Sequence, residues 1–121
     1  MNVRKLVQGL SYVGRVDGKR QTYHVFRGDE YFFVLSFSRS KPNAGNFNVV
    51  ESEAVEYVRA RFAGSQAVTT SDVVARARRS RHVPSSLAAL NILYVLAATG
   101  EARIDSRRAG PKLYFNLRRR R

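Results

Sequence analysis

The first fifty residues alternate between apolar and polar positions, as β-strands do when a sheet face is buried. The alternation falls into three runs, separated by turn-forming pairs such as Asp17-Gly18: residues 10–16, 21–26 and 31–38. In the third run Phe33, Leu35 and Phe37 share one face, and the residues between them share the other. The pattern predicts a three-stranded antiparallel meander in which residues 31–38 form the central, best-buried strand.

After residue 50 the spacing of apolar residues changes to that of helices. Residues 47–50 are predicted to be a short extended piece that leads into a first helix. Ser52 is the predicted N-cap of this helix, and Gly64 is predicted to end it. Its inward stripe has helical spacing and consists of Ala54, Val55, Val58 and Phe62.

Two more helices are predicted between residues 69 and 99. Thr69 and Asp72 have the spacing of a capping box, in which a side-chain oxygen and an acid satisfy backbone amides at a helix start. Pro84 then breaks the chain, and Ser85 or Ser86 is the predicted cap of a third helix over residues 86–99. This third helix carries a leucine at every third position: Leu87, Leu90, Leu93 and Leu96.

A hairpin is predicted after Gly100. Residues 102–105 and 112–117 are predicted strands, joined by a charged loop over residues 106–111. We expect Ile104, Leu113 and Phe115 to face the core. The side chains expected outside are Arg103, Arg107, Arg108 and Lys112.

This order of elements resembles a winged helix-turn-helix domain over residues 50–117. The resemblance implies that the third helix lies toward a duplex groove, and that the hairpin forms a wing beside it. The predicted fold class is therefore α+β, an N-terminal three-stranded antiparallel meander packed with a C-terminal three-helix winged-helix unit. We predict one compact domain over residues 1–121, with the meander in 1–50, the winged-helix unit in 51–117 and a mobile basic tail in 118–121.

Charge is distributed unevenly along the chain, which has a net charge of +13. Residues 1–75 contain 10 Lys/Arg against 7 Asp/Glu, whereas residues 76–121 contain 12 against 2. The basic part is thus the predicted winged-helix part. A dense positive field favours a polyanionic partner, because neutralising phosphates releases condensed counterions. Solubility alone needs a net charge of only roughly 2–8.

The predicted nucleic-acid contacts fall in four places. They are a basic turn after the second helix, the start and middle of the third helix, the wing, and the tail. The basic turn supplies Arg76, Arg78, Arg79 and Arg81. The third helix supplies Ser85, Ser86 and Asn91. The wing and tail supply Arg103, Arg107, Arg108, Lys112, Arg118, Arg119, Arg120 and Arg121.

The third helix is unusual for a helix that reads DNA. Such helices usually present Arg, Lys, Asn or Gln to base edges, whereas here only Asn91 and the two serines are suited to that role. One explanation is that the helix is buried on both sides, against the meander or a second subunit. The other is that it enters a groove with small residues. Either explanation predicts weak sequence specificity.

The aromatic residues of the meander allow two interpretations. Interleaved with Arg15, Arg20, Arg27 and Arg39, they could form a platform on which unpaired bases stack. Core packing is the preferred interpretation, because alternating aromatics also seal a sheet against a helix.

The sequence offers little for catalysis, metals or membranes. It has no cysteine and only two histidines, and it lacks a zinc-protease spacing, a glycine-rich phosphate loop and a nucleophile elbow. We predict no catalytic residue, no metal site and no cofactor. No apolar run approaches the ~18 residues of a membrane span, so we expect a cytoplasmic protein associated with the nucleoid or the ribosome.

The function expected from the sequence is non-enzymatic nucleic-acid binding. Duplex DNA is the first choice of partner, for a small transcription regulator or a chromosome-associated protein. RNA is the second choice, for a protein associated with the ribosome. A third alternative is a protein-interaction module in which the apolar third helix forms a homodimer face.

Overall fold

The computed structural model describes residues 9–38, 40, 45–77, 80–108 and 110–119, over which the chain forms six strands and three helices. The first four strands are β1 (Ser11–Asp17), β2 (Gln21–Arg27), β3 (Tyr31–Ser38) and β4 (Gly45–Glu51). The helices are α1 (Ser52–Phe62), α2 (Thr70–Arg76) and α3 (Ser86–Ala98). Two short strands follow, β5 (Ala102–Ile104) and β6 (Phe115–Leu117).

The prediction of a three-stranded meander is wrong, because the antiparallel sheet has four strands in the order β1-β2-β3-β4. The stretch expected to be a short extended piece is β4, which pairs with β3 from Tyr31 opposite Glu51 to Phe37 opposite Gly45. The physical reason lies in β3. A central strand carries backbone hydrogen-bonding groups on both edges, and when buried those groups need a partner on each side.

The sheet packs one face against the helices. Val25 and Val34 are paired across β2 and β3 and are fully buried in the core, together with Phe32 and Val50. Tyr23 continues this face and stacks on Tyr94 of α3, with ring centroids 3.9 Å apart. Alternation therefore places Tyr31, Phe33, Leu35 and Phe37 on the outer face of the sheet, where Leu35 is nevertheless buried.

Helix α3 is the centre of the fold. It contacts all four strands of the sheet on one side, and α1, α2 and β5 on others. Six consecutive residues of α3 are buried as a result: Asn91, Ile92, Leu93, Tyr94, Val95 and Leu96. Of the two explanations for its apolar sequence, the structure shows burial on both sides, and the meander of the same chain supplies the cover.

Capping explains where the helices begin. The capping box at the start of α2 is confirmed, since Thr69 accepts a hydrogen bond from the Asp72 amide and Asp72 accepts one from the Thr69 amide. Ser85 caps α3 by accepting from the Ala88 amide. The prediction of Ser52 as the N-cap of α1 is wrong, because β4 runs directly into the helix and the N-cap is Glu51.

The predicted hairpin is present, with shorter strands than expected. β5 and β6 pair antiparallel over three residues each, with Ile104 opposite Phe115. Val68, between α1 and α2, bridges to Phe115 through two backbone hydrogen bonds of 2.8 and 2.9 Å. The second strand begins at Phe115 rather than at residue 112, and just before it the Tyr114 carbonyl accepts from the Asp105 amide at 2.8 Å. None of the helices in the described part of the chain is long and apolar enough to cross a membrane.

Candidate nucleic-acid interface

The predicted contact residues divide into an exposed set and one buried exception. Arg78, Arg79, Arg120 and Arg121 lie outside the described residues. The exposed set consists of Arg76, Arg81, Ser85, Ser86, Arg103, Arg107, Arg108, Lys112, Arg118 and Arg119. The exception is Asn91.

Asn91 was predicted to read bases, and its position in the core makes that prediction wrong. Its residue surface is 4% exposed, and its amide nitrogen donates to the carbonyl of Leu87 one turn earlier, at 3.0 Å. The side chain therefore satisfies the helix backbone where the sheet covers α3. Without Asn91, α3 has no amide or guanidinium group for direct base recognition.

The basic turn is held by intramolecular contacts. Arg76 donates to the carbonyl of Arg61 at 3.1 Å, and its guanidinium lies 5.0 Å from the centre of the Phe62 ring. Arg76 thus joins the end of α2 to the end of α1. Arg81 approaches Glu53 at 3.9 Å, but both side chains are largely exposed, so this pair contributes little to stability.

The wing loop is organised by one carboxylate. Asp105, whose side chain is only 3% exposed, accepts two hydrogen bonds of 2.9 Å from the Arg107 guanidinium. It also accepts from the Arg107 amide and lies 3.6 Å from Arg108. The hydrogen bonds from Arg107 hold the pKa of Asp105 well below its usual range. One acid therefore fixes two arginines and leaves the loop net positive.

The wing base and the tail share a groove of about 970 Å³ with the edge of the sheet. Four arginines line it, from three segments distant in sequence: Arg15 of β1, Arg103 of β5, and Arg118 and Arg119 after β6. Gln66 and Asn116 add polar groups, and Asp17 is the one acid among its lining residues. We call this feature the arginine groove.

Hydrogen bonds hold the start of the tail at this groove. The backbone amide of Arg118 donates to the carbonyl of Glu101 at 2.9 Å, and the carbonyl of Arg118 accepts from the Gly64 amide at 3.0 Å. Gly64 has a positive φ of 79°, and a Cβ there would lie 3.1 Å from Arg119 Cγ. The expectation of a mobile tail is therefore wrong at Arg118, because its backbone is paired on both sides.

The electrostatics of the arginine groove favour an anion. The carboxyl end of α3 lies at the groove through Ala97 and Gly100, and a helix end of this polarity contributes about half a negative charge. Asp17 adds one more, paired with Arg15 at 3.0 Å. The positive charge of the four guanidinium groups is larger than the negative charge of Asp17 and the helix end together. The groove therefore has a net positive charge.

Arg15 was missed as a groove residue by the sequence reasoning. It had been noted only among the arginines that alternate with aromatics in the meander. Nothing in the local pattern of β1 indicates that this edge strand lies beside the C-terminal hairpin. The signal is tertiary, since Gly14 packs against Ala98 so closely that a Cβ would lie 3.0 Å from the Ala98 carbonyl oxygen.

The predicted contacts do not form one patch. Ser85 and Arg81 line a cavity of about 300 Å³ at the amino end of α3, whereas the arginine groove lies at the carboxyl end of the same helix. The 13 residues of α3 span roughly 20 Å at 1.5 Å per residue. The wing and tail cluster thus stands apart from the basic turn.

The outer face of the sheet is rich in aromatic residues. The preferred interpretation placed the meander aromatics in the core, but only Tyr23 and Phe32 pack against the helices. Strand alternation puts the rest on the opposite face, where Phe33 stacks on Phe47 with ring centroids 5.6 Å apart. Tyr12 at the edge of this face is 55% exposed.

Metals and known relatives offer no further guide to the site. Within the described ranges, no group of three or more His, Asp or Glu side chains is placed to hold a metal ion. Comparison of the chain with protein-family models, with curated proteins and with solved structures finds no match.

Proposed function

We propose that this protein binds nucleic acid through the sugar-phosphate backbone, with duplex DNA as the preferred partner. The observation that carries the proposal is the convergence of Arg15, Arg103, Arg118 and Arg119 on one groove. Cations from three separate segments repel one another when the fold brings them together. A polyanion in the groove relieves that repulsion and releases its own counterions.

Burial of α3 supports backbone contact rather than base reading. Phosphate contacts position a protein on a duplex but carry no sequence information by themselves. The cations available at the arginine groove and the wing are arginines and a lysine, which suit phosphates. Weak sequence specificity follows, and it fits a chromosome-associated protein better than a regulator of a single site.

The resemblance of residues 50–117 to a winged helix-turn-helix supports duplex DNA as the first choice. The order of α1, α2, α3 and the β5–β6 hairpin is the order of such a domain. The wing of these domains commonly lies against a duplex. In this protein the wing, rather than the third helix, would supply the contacts.

Binding to matched duplex DNA, single-stranded DNA and structured RNA, each across a salt series, tests the proposal by fluorescence anisotropy. We expect duplex DNA to bind tightest, with log affinity falling linearly against log salt. A protein that reads bases loses roughly 1–3 kcal/mol of binding free energy for each mismatched base pair. A protein that contacts only the backbone should therefore bind two unrelated duplexes of equal length with affinities that differ by less than about tenfold. Failure to bind any of the three polymers would overturn the proposal.

Replacing Arg103 and Arg118 with alanine localises the contact. The variant should lower the salt slope by about two, since each phosphate contact contributes roughly one unit. The Arg118 backbone hydrogen bonds survive this change. The matched control, Arg27→Ala with Arg61→Ala, removes equal charge at exposed residues that do not line the groove, and it should leave the slope nearly unchanged.

RNA is the second candidate, and the outer face of the sheet favours it. Exposed aromatic rings such as Tyr12 and Tyr31 are suited to stacking with unpaired bases. Tighter binding to structured RNA than to duplex DNA in the same salt series would move the proposal to RNA.

A further inference from the structure

We propose that the turn between β1 and β2 is a second phosphate-binding loop, with Lys19 and Arg20 as its contacts. This inference rests on the proposed function and extends it to a part of the chain outside the winged-helix region. The turn lies beside the wing in the folded protein, so that the two loops would bind the same stretch of backbone.

The first observation is the convergence of cations between the two loops. Lys19 and Arg20 from the turn, and Lys112 from the wing, line a groove of about 380 Å³. Its other lining residues include Thr69 and Thr70 but no acid. Three cations around a groove without a carboxylate make a site suited to a phosphate.

The second observation is continuity with the wing and the arginine groove. Lys19 and Lys112 also line a neighbouring groove of about 250 Å³, together with Arg108. That groove shares Asp17 and Ile104 with the arginine groove. The three grooves are therefore neighbours, and a backbone bound from Arg118 to Arg20 would cross a middle groove that Asp17 and Asp105 also line.

The third observation is that the turn is held firmly in place. The Gly18 amide donates to the Gln21 carbonyl at 3.0 Å, which closes the turn. A Cβ at Gly18 would lie 2.7 Å from the Tyr23 ring and 3.2 Å from the Tyr94 hydroxyl. The stacked Tyr23 and Tyr94 thus seat the turn on α3, and little ordering cost remains for binding.

Alanine replacement of both Lys19 and Arg20 tests the inference, by anisotropy with duplex DNA across a salt series. Both side chains are exposed, so the variant should fold as the parent does, which thermal melting checks. We expect the salt slope to fall by about two on duplexes of any sequence. The conservative exchange Lys19→Arg with Arg20→Lys should restore the slope.

A combined variant that also carries Lys112→Ala tests whether the loops share a phosphate. If the loops share a phosphate, the loss in log affinity of the combined variant should be smaller than the sum of two losses, that of the Lys19, Arg20 variant and that of Lys112→Ala alone. Each of these variants already weakens the contact with the same phosphate. Fully additive losses would contradict a shared phosphate, and the turn and wing would then bind separate ones.

The outcomes separate this inference from the proposed function. If Arg103→Ala with Arg118→Ala lowers the slope while the turn variant leaves it unchanged, the inference fails and the proposed function stands. An equal loss in the control Arg27→Ala with Arg61→Ala would show a response to net charge alone and would also overturn the inference. If the unmodified protein binds no nucleic acid, both fail together.

Discussion

Asp105 shows how one residue can set the shape of a charged loop. Its carboxylate is nearly buried, yet it accepts from the side chain and the amide of Arg107. The sequence shows an acid followed by two arginines, which indicates a surface ion pair of little consequence. Burial makes the pair more important for stability. Removing a buried charge that accepts three hydrogen bonds leaves its donors without a partner, which costs more free energy than removing an exposed charge.

Replacing Asp105 with asparagine should destabilise the fold in a pH-dependent way. Arg107 lowers the pKa of Asp105 below its ordinary value of 3.8, so the folded state holds the carboxylate charged at a pH where the unfolded chain binds a proton. The contribution to stability is therefore present above about pH 4 and is lost as the pH falls through the lower, folded pKa. Urea unfolding at pH 7 and pH 3 should show a larger difference between the two proteins at pH 7. A difference independent of pH would contradict the charge-based explanation.

Leu93 and Leu87 belong to the same leucine series but have opposite environments. Leu93 is fully buried in the core, whereas Leu87 is 60% exposed. Leu93→Ala should cost roughly 2–5 kcal/mol of unfolding free energy, as for other buried leucines. Leu87→Ala, the matched control on the same helix, should cost less than about 0.5 kcal/mol. Equal losses in denaturant unfolding would mean that the packing of α3 is inverted.

At the scale of elements, the β5–β6 hairpin was predicted well and the contacts of its arginines less well. The hairpin, its core residues and its exposed cations follow from the alternation of Ile104, Phe115 and their neighbours. The contacts of Arg107 and Arg108 with Asp105 do not follow from alternation, because a loop has no fixed period. They depend on where the loop folds back on itself.

Arg107→Ala with Arg108→Ala should weaken binding to all duplexes alike and lower the salt slope by up to ~2. Each guanidinium keeps donors free beyond those that Asp105 accepts, since arginine has five. Salt titrations of the variant and of the Arg27→Ala, Arg61→Ala control provide the comparison. An unchanged slope would remove the wing tip from the interface and leave the arginine groove as the contact.

The fourth strand and the covered third helix mark the limit of sequence reasoning about elements. Strand β4 contains Asn46 and Asn48, so its alternation of apolar and polar residues is weak. This edge strand is only partly buried. The apolar sequence of α3 indicates burial, and that explanation was available from the sequence. Which surface covers the helix is a tertiary fact, and no local period encodes it.

For the molecule as a whole, the uneven charge predicts a polyanionic partner but not where it would bind. Charge counts assign the positive field to residues 76–121. The structure adds Arg15 beside the arginine groove, and Lys19 and Arg20 beside the wing, all from the half of the chain that seemed nearly neutral. Packing of the sheet on α3, which also contacts β5, brings these residues beside the hairpin, and counting charge along the chain cannot show it.

The same whole-molecule packing accounts for the apolar third helix. The homodimer alternative rests on the apolar third helix as a dimer face, whereas residues 91–96 of this helix are buried within the same chain. What stays exposed near its start is chiefly Leu87. The apolar pattern thus has an intramolecular explanation.

The backbone bonds of β6 have a consequence for the order in which the protein matures. Phe115 and Leu117 bond to Val68 and Ser65, residues made some fifty positions earlier. During synthesis the α1–α2 connection must wait for β6 to emerge, and the arginine groove closes only then. The arginine groove therefore depends on pairing between segments some fifty residues apart, and residues 65–68 alone cannot form it.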